Sequence, residues 1–168
     1  MKSLLTAAAL CVTAAAGPTA YRPDPTAFGP PWISIEYPVN PYDQTTRDAY
    51  LVVHAYHHGT PTEFPVRGTA EGIVDGKRRT VSLEFARTSR PGVFALKKQW
   101  SDAGTWALMI AVAQGKDDQA QAIVNVGTDG RVASVRVPTK RQDNWTVPAP
   151  VSVAEIEKEL RARAAASN

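Results

Sequence analysis

Cysteine is almost missing from this 168-residue chain: Cys11 is the single one. Because it falls in an N-terminal apolar run, a chain processed beyond that run has no disulfide, no thiolate metal ligand and no cysteine nucleophile. A strong charge of either sign is missing too. Nineteen Lys and Arg against sixteen Asp and Glu leave +3, an excess too small and too scattered to predict nucleic-acid binding. Beyond residue 16 no segment approaches the about 20 apolar residues that cross a bilayer. No Gly-x-Ser-x-Gly elbow occurs, and Ser82, Ser89, Ser101 and Ser134 lie in strand or turn contexts. Asp117 and Asp118 read as solvated turn acids rather than a glycosidase pair. No enzyme is expected. Methionine is scarce as well, with Met109 on a strand as the one beyond Met1, a packing residue and no basis for a thioether copper site.

What is present starts with an address. Met-Lys-Ser, the apolar run Leu4–Thr13 and Ala14-Ala15-Ala16 are the three parts of a secretory signal peptide, with cleavage expected after Ala16. Leu10 is too large for the position before an acylated cysteine, so Cys11 is not read as a lipid anchor. The mature chain is then expected to be periplasmic or secreted. Pro18, Pro23, Pro25, Pro30 and Pro31 make residues 17–31 a Pro-rich spacer, since each proline fixes φ and removes a donor.

With 43% hydrophobic residues the remainder has material for a core. Alternation of apolar and polar residues begins at Trp32 and returns through Leu51–Tyr56, Val66–Val74, Thr80–Phe85, Val93–Gln99, Thr105–Ala113, Ala120–Val126 and Arg131–Val137. Asp75-Gly76 and Asp129-Gly130 are hairpin turns, because a type I′ turn needs φ > 0 at both central residues. The connections are too short for parallel crossovers. Eight antiparallel strands over 32–138 predict an all-β sandwich, with a small barrel as the rival. Trp106, Leu108, Ile110 and Val112 share the face expected in the core. The tail, 139–168, reads as a linker followed by a helix over 153–165. Ser152 and Glu155 form its capping box, Val153, Ile156 and Leu160 its apolar stripe, and Arg161 and Arg163 complement its dipole.

The runs Gly92-Val93-Phe94-Ala95-Leu96 and Gly104-Thr105-Trp106-Ala107-Leu108-Met109-Ile110, with the His58-Gly59-Thr60-Pro61 turn, resemble the pattern of exported YtkA-like and FixH-like immunoglobulin-like domains. The resemblance covers about residues 48–137 and implies a seven- or eight-stranded immunoglobulin-like sandwich outside the cytoplasm. Some such domains are linked with copper handling or oxidase assembly. The resemblance speaks for fold rather than activity. The chain is expected to be a non-enzymatic exported domain that binds a protein partner or serves as an accessory domain in the cell envelope.

All three histidines fall in His54-Ala55-Tyr56-His57-His58. Imidazoles without thiolates suit copper or zinc, which gives the alternative reading of a periplasmic metal-binding protein. On a regular strand His54 and His58 stand about 13 Å apart and His57 points to the other face. Only a strand ending at Tyr56 lets His57 and His58 converge, with Glu63 as a third ligand. Of the four tryptophans, Trp106 reads as core, while Trp100 beside a turn and Trp145 in a Pro-rich run are the ligand-stacking candidates. Lys77-Arg78-Arg79 reads as a solvated strand start.

Overall fold

The computed structural model describes residues 29–116 and 118–166. The segment expected as a signal peptide, with Cys11, the expected spacer up to residue 28 and Asp117 lie outside the described residues. The chain folds as β1 (Trp32–Glu36), β2 (Leu51–His57), β3 (Thr60–Pro61), β4 (Val66–Val74), β5 (Lys77–Leu83), β6 (Phe85–Arg87), β7 (Val93–Leu96), β8 (Thr105–Gln114), β9 (Asp118–Val126), β10 (Val132–Arg136), β11 (Thr139–Gln142), β12 (Trp145–Pro148) and α1 (Val153–Ala166).

All ladders are antiparallel. One sheet has the order β1-β2-β7-β6 with β3 on β2; the other runs β10-β9-β8-β4-β5. Among the described residues no ladder joins the two, so they form a sandwich and not the rival barrel. Strand order matches the immunoglobulin arrangement, in which A-B-E-D faces C′-C-F-G, with β10 added beside β9. Between the sheets lie Ile33, Leu51, Val53, Phe94 and Leu96 from one side, and Leu83, Trp106, Leu108, Ile110, Val112 and Val124 from the other.

Local chemistry explains the joints. Asp75 and Gly76 hold φ of 50° and 71° and put Val74 opposite Lys77, the type I′ geometry expected of that dipeptide. The expected single strand 80–85 is cut at Glu84, where the chain leaves one sheet for the other. Gln99 supports the crossing: Glu84 N–H donates to its Oε1 at 2.9 Å and its Nε2–H donates to the Glu84 carbonyl at 2.8 Å. With Gln99 so engaged, β7 stops at Leu96 rather than reaching residue 99. Asp129-Gly130 belongs to a five-residue loop closed by Gly127 N–H on the Arg131 carbonyl, wider than the expected tight turn.

The outer face of the β8–β9 region is covered by α1. Ile156 and Leu160 pack on Ala107, Ile123, Met109 and Ile73. Val153, expected in that stripe, is exposed. Only half of the capping box forms: Glu155 N–H donates to Ser152 Oγ at 3.1 Å, while the Glu155 carboxylate takes Arg136 instead. Arg161 pairs with Glu157. Arg163 reaches back to the sheet, donating to the Trp106 carbonyl at 3.1 Å, Asn125 Oδ1 at 3.0 Å and the Val126 carbonyl. Burial lowers its pKa, against the pull of Glu159. Among the described residues no helix is long and apolar enough to cross a membrane.

The segment expected as a linker contains a third, two-stranded sheet. β11 and β12 pair from Thr139↔Pro148 to Gln142↔Trp145 around Asp143-Asn144, with Asp143 at φ 53°. This hairpin stands at one end of the sandwich.

Candidate functional site

Trp32 opens β1 and pairs with Tyr56 of β2. Strand alternation puts Trp32, Ser34 and Glu36 on the face turned away from the core, since Ile33 between them is buried. At the far end of β2, His58 and Gly59 adopt φ of 50° and 78° and set His57 opposite Thr60. The chain therefore turns sharply beside Trp32. Across from that corner stands the β11–β12 hairpin, with Gln142 and Trp145 as a cross-strand pair. Between them opens a cleft of about 550 Å³, inside the range usual for small-molecule sites. It is lined by Trp32, His58, Gln142, Asp143 and Trp145 together with Gly29, Pro30, Val147 and Pro148.

Trp145 is 76% exposed and Trp32 39%, both high for side chains that bury so much area when they can. Among the described residues neither Lys nor Arg lines this cleft. An adjoining groove of about 370 Å³ shares Gly29, Pro30, Gln142, Val147 and Pro148 with the cleft and carries Asp118 and Lys140. Trp145 is thus exposed as its stacking assignment requires, and it is joined by Trp32, to which the sequence pattern assigns no role. Trp32 escapes attention because its indole leads a strand whose alternation assigns it a face without saying what stands opposite.

Trp100 is not available for stacking. It is 6% exposed and packs edge-on against Tyr50, ring centroids 4.9 Å apart. Burial, reinforced by Tyr37 and Asp129, pushes the Tyr50 hydroxyl up to about 12. The turn beside Trp100 folds the indole inward, which corrects its assignment as a surface platform.

The histidines divide. β2 is regular through His57, so the strand does not end at Tyr56. His54 and Tyr56 stack on the outer face, centroids 6.2 Å apart and planes 7° apart. His54 Nε2 lies 2.8 Å from Glu36 Oε2. Burial works to raise the Glu36 carboxyl, but His54, the Asn40 N–H and Arg90 outweigh it and hold the group below its ordinary 4.5. His57 contacts the Gly29 carbonyl through Nε2 at 3.2 Å and packs on Phe64. The His57 and His58 rings meet edge to face, 4.4 Å between centroids. Glu63 faces elsewhere, accepting from Gly92 N–H at 2.8 Å and pairing with Arg87. Among the described residues no three His, Cys, Asp or Glu side chains gather in a metal-binding group. Lys77, Arg78 and Arg79 lie exposed on the edge strand β5, where Arg78 pairs with Glu71 at 2.7 Å. Such charges guard an open strand edge against further pairing.

The arrangement defines an immunoglobulin-like sandwich with a tryptophan-walled end cleft. No family model, no curated protein and no solved structure matches this chain.

Proposed function

We propose that the chain is a non-enzymatic binding module, an exported accessory domain of the cell envelope that engages its ligand through the end cleft. One observation carries the reading. Two tryptophans from distant parts of the chain, Trp32 and Trp145, stay exposed on a shared cleft, whereas Trp100 and Trp106 are buried. Exposed indoles set in a concave wall are the usual anchors of recognition. Export is supported by the Lys2, Leu4–Thr13 and Ala14–Ala16 pattern. The YtkA-like and FixH-like resemblance supports the same reading at the level of fold.

Indole N–H signals in ¹H–¹⁵N spectra test the binding site. A small-fragment mixture should shift those of Trp32 and Trp145 and leave Trp100 and Trp106 in place. Fragments that map only to other surfaces, with both cleft indoles unmoved, would remove the reading. Export has its own test: the protein recovered from the native envelope should lack residues 1–16, and an intact leader on a cytosolic protein would refute it.

A further inference from the structure

We infer that the end cleft takes a neutral saccharide, with one sugar ring stacked on the Trp145 indole and the chain passing Trp32. The inference rests on the binding-module reading and names its ligand class. Three features of the cleft point there. First, an indole face left in water is a flat apolar platform, and the C–H face of a pyranose ring covers such a platform without needing a deep pocket. The cleft is open, and Trp145 is the more exposed of its two indoles.

Second, the polar groups beside the indole suit hydroxyls. Gln142, the cross-strand partner of Trp145, offers both a donor and an acceptor, and Asp143 at the turn offers acceptors. Among the described residues neither side chain is engaged by another protein group. Alternation along β11 and β12 puts Gln142 on the same face of the hairpin as Trp145, with Arg141 on the other. A hydroxyl-bearing ring on the indole thus meets the amide at its edge.

Third, charge selects against the obvious competitors. Among the described residues no Lys or Arg lines the cleft, and Asp143 is its one carboxylate. Lys140, on the same face of β11 as Gln142, lines the adjoining groove together with Asp118. The cleft itself therefore has little to neutralise a phosphate, sulfate or uronate chain. An aromatic groove also fits a proline-rich peptide in polyproline II form. The paired amide and carboxylate on one side of a single platform favour a polyhydroxylated ring over a peptide. A peptide backbone in that form presents a carbonyl roughly every 3 Å. The Gln142 amide and the indole N–H groups can serve some of these, but the Asp143 carboxylate cannot, whereas sugar hydroxyls use donors and acceptors alike.

The full mature chain should be titrated with four probes: cellohexaose, chitohexaose, a polygalacturonate oligomer and a proline decapeptide. The readout is the shift of the four indole N–H signals together with tryptophan fluorescence. At least one of the two neutral oligosaccharides should shift Trp32 and Trp145 at millimolar concentration or below. Trp145→Ala should weaken that binding at least tenfold with an unchanged far-UV spectrum, and Gln142→Ala should weaken it less. Trp100→Phe should leave it intact. The polygalacturonate oligomer should bind more weakly than the neutral chains. Binding of the decapeptide or the polygalacturonate at the cleft, without the neutral oligosaccharides, would overturn the saccharide inference and leave the binding module standing. Cleft indoles unmoved by all four probes would overturn the inference, and unmoved by small fragments as well they would overturn the module.

Discussion

The interior between the sheets and the cleft at their end each hold two tryptophans, and the same side chain serves opposite purposes in them. Inside, Trp106 lies flat over Gly72: a Cβ built on that glycine would come 2.5 Å from the ring. Its N–H donates to the Ala103 carbonyl at 2.8 Å. Trp100 packs against Tyr50 with its own N–H unpartnered among the described residues. In the cleft, Trp32 and Trp145 have no such enclosure. Where indoles are packed on all sides they hold the fold together; where they are left open on a concave wall they are free to hold something else. That contrast is the reason for assigning function to the hairpin end.

The largest effect should come from emptying the interior. Trp106→Ala should cost about 3–5 kcal/mol in denaturant unfolding, the range for aromatic truncations in cores. Trp100→Ala should fall in the same range, since both are enclosed. A cost below about 1 kcal/mol for either would erase the distinction between the regions. Gly72→Ala comes next, at about 1–3 kcal/mol, because the added methyl must displace the Trp106 ring. In a Trp106→Ala background the same change should cost much less. A double-mutant cycle that shows simple additivity would mean the ring does not depend on Gly72.

Much of the interior was legible in the sequence. Trp106, Leu108, Ile110 and Val112 occupy alternate positions, and the Asp75-Gly76 turn fixes where β4 and β5 meet. The cut at Glu84 was not legible, because it follows from a side chain fifteen positions away that substitutes for a strand partner. Trp100 lies in no alternating run, so nothing local says that it folds inward. The β11–β12 hairpin had a weak signal, Asp143-Asn144 between Gln142 and Trp145. Pro138, Pro148 and Pro150 around it favour a linker, yet these prolines sit only at its boundaries, where a missing donor costs little. The cleft itself is a tertiary product of two distant segments. Neither segment alone announces it.

A smaller effect lies between the two regions, on the outer face that Trp32 shares with His54 and Glu36. The Glu36 carboxyl is held below its ordinary 4.5 in the folded chain. A depressed carboxyl contributes stability that is present above the unfolded pKa and is lost as pH falls through the folded one. Unfolding free energy should therefore drop as pH falls below about 4.5, by on the order of 1 kcal/mol or less from this pair. Glu36→Gln should flatten that part of the profile. An unchanged slope in the variant would show that the His54–Glu36 contact does not stabilise this face.

The smallest stability effect is the one that separates the regions most sharply. Trp145→Ala should change unfolding free energy by no more than about 0.5 kcal/mol, the ordinary size for an exposed position. The side chain is 76% exposed, and its one cross-strand neighbour, Gln142, contributes at most a fraction of a kcal/mol in such a pair. The hairpin is held from below instead, by the Ala149 N–H on the Pro138 carbonyl and by burial of Pro148. Removing the indole therefore leaves that support in place. Should Trp145→Ala cost more than about 2 kcal/mol, far outside the surface range, the hairpin would be packed into the sandwich through its tryptophan, and the cleft would be a seam of the fold. A near-zero cost leaves an indole that the fold does not need, standing beside an amide and a carboxylate that no other described side chain engages.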